Sequence, residues 1–297
     1  ADQIVDAALL TQLDSLLEQL TEAIVARLAT LGSAGGGSGF AAMLAASELS
    51  PEALRDVVRR YRARPSDAAA FVASRGQAHA SAEAWGEEVG SAVDHTLQLG
   101  VLFGPDPLLL RRLNALRLEG RWHAPKDLAG FELADWRAIF SDGEHSAEAQ
   151  ADEAAVLVEA RAQTAREAIE QAFPSECIRR SLCQSGELSP AARRLLERLP
   201  EHDLVSGSIH AHAESAPELF EDIEQTEAKA VIEEIAVVER MARLTQRPEE
   251  VRVLVGARMR SALEVGSMPR LQFTKLFGET LGRAQAARIH AEAQQSA

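Results

Sequence analysis

With 297 residues and a formal net charge of −14, the chain is long enough for a sizeable core and too acidic overall for a general binder of nucleic acid or anionic lipid. Its 46% hydrophobic content is mostly Ala and Leu, with only 4% aromatic residues and a single Tyr, a mixture that favours helix over strand. No apolar run approaches the ~18 residues of a membrane span, and no charged start leads into a signal-peptide core.

Residues 1–31 predict an N-terminal amphipathic helix, with Leu9, Leu13, Leu16, Leu17, Leu20, Ile24 and Leu28 along one face. The Gly/Ser run at 32–39 interrupts it as a flexible loop or linker, because glycine loses the most entropy on ordering and serine adds no packing. It lacks the G-x-x-x-x-G-K-[ST] pattern of a phosphate cradle. Residues 40–140 read as a first helical unit. There, Ser50 and Pro51 suit the N-cap and first position of a helix that turns Leu54, Val57, Val58 and Tyr61 inward. Arg59, Arg60, Arg62 and Arg64 on its outer face are expected to pair with the chain's own carboxylates. Phe71 and Val72 mark a short helix, Trp85, Val89, Val93 and Leu97 a longer one, and Asp106 with Pro107 opens the next.

Residues 141–297 read as a second helical unit. After the loop at Ser141, Asp142 and Gly143, a long helix carries Val156, Ala160, Ala165, Ile169 and Phe173 and is stopped by Pro174. A short helix over 190–199 follows, then a loop or broken helix over 204–215, then a long helix over 217–244 with Leu219, Ile223, Val231, Ile235, Val238 and Met241. Pro248 opens a helix with Val251, Leu254, Val255 and Met259 in its stripe. Ser261 and Glu264 have capping-box spacing, Gly266 can end that turn, and Ser267 can cap a helix holding Met268, Phe273, Leu276 and Phe277. An offset of 137 positions superposes Val265 on Leu128, Met268 on Phe131, Phe273 on Trp136, Leu276 on Ile139 and Phe277 on Phe140, while the upstream helices do not hold that register. This weak internal repeat makes Trp136 and Phe273 equivalent anchors. The predicted fold class is all-α, an irregular, solenoid-like stack of helical hairpins with short helix-turn-helix units.

For chemistry, His210, His212 and Glu214 are the one close cluster of metal-capable side chains; on an extended segment the three would converge, whereas on a helix they would diverge by about 200° per step of two. We read that segment as an exposed loop and assign no metal. Cys177 and Cys183 lack partner ligands and read as structural thiols. Glu233 with Glu234 and Glu249 with Glu250 sit at adjacent helix positions and read as solvated faces. No G-x-S-x-G elbow and no H-E-x-x-H motif is present, so the expectation is a non-enzyme without a cofactor. The turns FGETLG and VGSMPR resemble helix-hairpin-helix turns, but Glu279 would stand close to a bound phosphate. A nucleic-acid hairpin module and a free-standing helical metal- or ligand-binding protein are therefore the alternatives to a scaffold.

Four blocks in order carry a resemblance: HTLQLGVLFGPDPLLLRRL, DLAGFELADWRAIF, AREAIEQAFPSECIRRSL, and the stretch from ERMARLTQRPEE to IHAEAQ. Together they cover roughly residues 95–293 and resemble the helical shell of the A components of Tc insecticidal toxin complexes. That resemblance implies a non-catalytic scaffold and interaction segment of a much larger secreted or cell-associated protein, which forms a homo-oligomer around a translocation channel. Its partners would be other segments of that protein, or a protein or glycan surface, with no nucleic acid and no membrane insertion by this segment. Ala1 in place of an initiator Met fits a processed product or a fragment. Two departures from the family pattern are the loose stretch Ser206-Gly207-Ser208-Ile209-His210 and the glycine run at 32–39.

Overall fold

The computed structural model describes residues 19, 46, 47, 49, 50, 52–55, 57, 87–104, 106–141, 151–216 and 225–296. The expected helix over 1–31, the 32–39 loop, the arginines at 59–64, the Phe71 helix, Trp85, Leu219 and Ile223 fall outside this set, apart from helical Gln19. Among the described residues the chain is helical and contains no strand, and no helix is long and apolar enough to cross a membrane. Two compact units can be distinguished. One comprises residues 1–127 with 134–162; the other comprises 128–133 with 163–297.

The first unit contains α1 (Glu87–Phe103), α2 (Pro107–Leu118), α3 (Leu133–Ser141) and the beginning of α4 (Ala151–Ala172). Upstream, Ser50 Oγ accepts the Ala53 N–H at 3.2 Å, and Leu54 and Val57 are buried. Helix α2 starts where proline and an acidic cap allow it: Asp106 Oδ1 accepts from the N–H groups of Leu108 and Leu109, and Pro107 needs no partner at the first position. It ends in a Schellman turn. Gly120, at φ 76, closes this turn on Arg117 O, and the Arg121 N–H reaches Leu116 O. Trp122 is buried just beyond, its indole N–H donating to Leu113 O at 2.8 Å. Trp136 on α3 is buried against the ring of Phe103, 5.4 Å away. In α4 the buried positions are Ala162, Ala165 and Ile169, whereas Val156 is 71% exposed and Ala160 is exposed; the predicted stripe was misplaced along its first turns.

The second unit holds α5 (Pro174–Ser185), α6 (Pro190–Arg198), α7 (Ile209–Ser215), α8 (Gln225–Leu244), α9 (Pro248–Gly256), α10 (Ala262–Ser267), α11 (Arg270–Phe277) and α12 (Arg283–Ser296). Pro174 both ends α4 and supplies the first residue of α5. The core runs through Ile178, Leu182, Leu195, Leu196, Ile235, Val238, Met241, Leu254, Phe273 and Ile289. Helix α9 also ends in a Schellman turn, but its left-handed residue is Arg258, at φ 60. Arg258 N–H bonds Val255 O and Met259 N–H bonds Leu254 O, so Met259 lies past the helix that its spacing had extended. Ser261 caps α10 by accepting the Glu264 N–H at 3.2 Å. The Glu264 carboxylate turns back to the Arg260 N–H at 2.8 Å, one residue earlier than a reciprocal capping box requires. Gly266 lies inside α10, and α11 has no side-chain cap, so Ser267 does not serve as one.

The repeat extends beyond the side chains that suggested it. A 3-10 turn at Pro125–Gly130 and α10 at Ala262–Ser267 have matching bounds 137 positions apart, as do the first residues of α3 and α11, Leu133 and Arg270. Asp127 accepts from the N–H of His123, four residues back, as Glu264 does from Arg260. Upstream, Pro107 and Pro248 each open their helix, 141 positions apart. Helix α9 is three residues shorter than α2 and its following connection one shorter, which brings 141 down to 137.

Candidate functional site

A buried polar cluster in the second unit is built on Glu239 of α8. The spacing of Val231 and Ile235 calls for an apolar residue there, yet the carboxylate is 3% exposed. Its Oε1 accepts from His202 Nε2 at 2.8 Å and from the Ile209 backbone N–H at 2.6 Å, and Arg243 approaches Oε2 at 3.6 Å. Those partners meet the requirement that a buried acceptor be satisfied. His202 begins the turn from α6 to α7, and its carbonyl accepts from Arg179 of α5 at 2.5 Å. Arg179 is itself paired with Glu176.

The rest of the turn is bound as closely. Asp203 accepts the Val205 N–H at 2.9 Å together with the hydroxyls of Ser175 and Ser206, and these hydrogen bonds hold its carboxyl well below the usual carboxylate range. Arg243 donates to the carbonyls of Val205, at 3.1 Å, and Gly207. A Cβ at position 207 would strike the Asp203 carbonyl and the His202 ring, so the turn needs glycine for its close approach. Chemically, the arrangement fixes backbone: it locks residues 202–209 onto α5 and α8 through charge-assisted bonds.

The metal candidates are placed differently from an extended triad. Residues His210, His212 and Glu214 lie on the short helix α7, capped by Ser208, and helical geometry sends them in different directions. His210 and Glu214 are exposed, while the His212 ring meets His202 edge-on at 4.8 Å. Among the described residues no three metal-capable side chains converge. The loop reading of 209–215 is therefore corrected to helix, with the looser backbone confined to the turn before it.

Of the carboxylates read as solvated, one is buried and one is half-buried and bonded. Glu249 is exposed and pairs with Arg252, but Glu250 is buried, accepting from Thr245, Gln285 and, at 2.8 Å, Arg288. Glu233 is exposed and bonds Arg240, while Glu234 takes both the N–H and the hydroxyl of Ser189, at 2.7 and 2.6 Å, just where Ser189 caps α6. The two thiols are free. Burial pushes Cys177 up to about 12, with the charges of Glu170 and Glu176 adding to it, and burial also raises Cys183. The FGETLG turn joins α11 to α12 through Gly278 and Gly282, with Glu279 exposed between them.

Sequence reasoning missed Glu239, His202 and Glu250. A charged residue in register with an apolar stripe was the available signal for Glu239; nothing local marks His202, whose partner is 37 residues away. The chain matches no family model, no curated protein and no solved structure.

Proposed function

We propose that the chain is a non-catalytic helical scaffold, an irregular, solenoid-like stack of hairpins that forms part of the shell of a toxin-translocation assembly of the Tc A-component kind. The observation that carries this reading is the module used twice, from Pro107 to Ser141 and from Pro248 to Phe277, since repeated helical units are how extended scaffolds bury their faces on neighbours. The polar clusters support it, because their bonds tie separate helices and the turn at 202–209 to one another. On this reading the partners are neighbouring segments of a larger protein, or a protein or glycan surface, and the acidic balance disfavours nucleic acid and anionic membranes.

Purification of the full reading-frame product tests this. Analytical ultracentrifugation with negative-stain microscopy should give a large closed homo-oligomer with a channel. A reading frame that encodes this segment without any channel-forming region, and a product that stays a monomer, would replace the shell with a free-standing helical adaptor.

A further inference from the structure

Helices α11 and α12 leave an open groove of about 590 Å³ between them, lined by Arg270, Leu271, Thr274, Arg283, Ala284 and Ala287. Its floor is aliphatic, and Leu271 is 85% exposed. Arg270 and Arg283 are exposed and make no ion pair or hydrogen bond through their side chains among the described residues. Arg137, Arg161, Arg166, Arg180, Arg252 and Arg288 each hold a carboxylate, and among the exposed arginines without one, which include Arg258 and Arg260, Arg270 and Arg283 are the two that line this groove. The first copy of the module shows what this position does when it is engaged. There the counterpart of Thr274 is Arg137, whose guanidinium holds both oxygens of Glu159 on the helix that follows, at 2.5 and 2.8 Å. In the second copy Thr274 makes no such bridge, and Arg270 and Arg283 line the open groove without a carboxylate partner among the described residues.

We propose that this groove docks an acidic amphipathic helix of a partner protein, with an aliphatic side chain on Leu271, Ala284 and Ala287 and flanking carboxylates on Arg270 and Arg283. A helix laid in an apolar groove between two helices is a common mode of peptide recognition, and charge complementarity selects its sign. This names the partner chemistry of the scaffold proposed above and rests on that reading.

The test uses the full chain and two fluorescein-labelled synthetic helices of Ala and Leu, one with Glu flanking its Leu face and the other with Lys at every Glu. Fluorescence anisotropy should show saturable binding of the Glu helix alone. Arg270→Glu combined with Arg283→Glu should weaken it on the order of ten-fold or more. Ala284→Trp, which fills the groove and leaves the charges in place, should weaken it as well. All three sites are exposed, so circular dichroism should be unchanged. No binding, equal binding of both helices, or variants that bind as well as the parent would overturn the proposal. Self-association of the chain without peptide, abolished by Leu271→Glu, would overturn it in favour of a second copy as occupant. None of these outcomes alters the assembly measurement on the full reading-frame product, so the two ideas fail separately.

Discussion

Trp136 and Phe273 occupy the same position in a turn-and-helix module used twice, 137 residues apart, and neither side chain is accessible to solvent. Each is followed four positions later by a buried phenylalanine, Phe140 or Phe277, so both copies present an aromatic pair on one helix face. Truncating either anchor to Ala should cost about 3–5 kcal/mol. The neighbouring position separates the copies, because Ile139 is 6% exposed and Leu276 is 57% exposed. Ile139→Ala should therefore cost about 2–4 kcal/mol and Leu276→Ala no more than about 0.5. Urea unfolding of the four variants checks the set, and equal costs at 139 and 276 would contradict the burial difference.

Glu239→Ala removes the acceptor shared by His202 and the Ile209 N–H. Each donor left buried and unpaired costs about 1–3 kcal/mol, so a loss of several kcal/mol is expected, with faster amide exchange at Ile209. A variant as stable as the parent would show that the cluster does not hold the turn.

Arg258 and Gly120 fill the same left-handed position of two Schellman turns. Left-handed backbone costs an L side chain roughly 1–2 kcal/mol, and glycine's extra unfolded-state entropy returns about 0.5–1 of any gain. Arg258→Gly should thus stabilise the chain by up to about 1 kcal/mol, and Gly120→Ala should destabilise it. Thermal melts that move in the same direction for both would contradict the shared geometry.

Asp203 links the turn to acid stability. Its folded carboxyl lies below the ordinary value of 3.8, held there first by Ser175 and then by Ser206. The unfolded chain therefore binds the proton more readily, and the contribution is full above about pH 4 and lost as pH falls through the folded value. Asp203→Asn should flatten the acid limb of the stability curve below pH 4 and leave its slope at neutral pH unchanged. An identical acid limb in both proteins would remove Asp203 from the account.

Caps and stripes were legible because they are local: Asp106, Pro107, Pro248 and Ser261 each act within four residues of themselves. The second half of α8 was legible for the same reason, as Val231, Ile235, Val238 and Met241 are all buried. Glu250 was not legible, since its burial depends on Gln285 and Arg288, which arrive from a distant helix. Val156 was misread because an exposed aliphatic side chain on a helix has the same spacing as a buried one. Only half of the repeat could be seen in sequence. Side chains downstream of Asp127 keep one offset, while the shorter α9 and its shorter turn shift everything upstream, and a capping carboxylate can be Asp in one copy and Glu in the other.

Amide hydrogen exchange on the intact chain, resolved to peptides, tests most directly the claim that one helical module is built twice. The segments Leu133–Ser141 and Arg270–Phe277 should both be protected by about two orders of magnitude or more over the unfolded rate, with the turns before them, around Asp127 and Glu264, protected alongside. Exchange of either segment at the unfolded rate while the other stays protected would show that the 137-residue spacing pairs a folded module with a chance likeness.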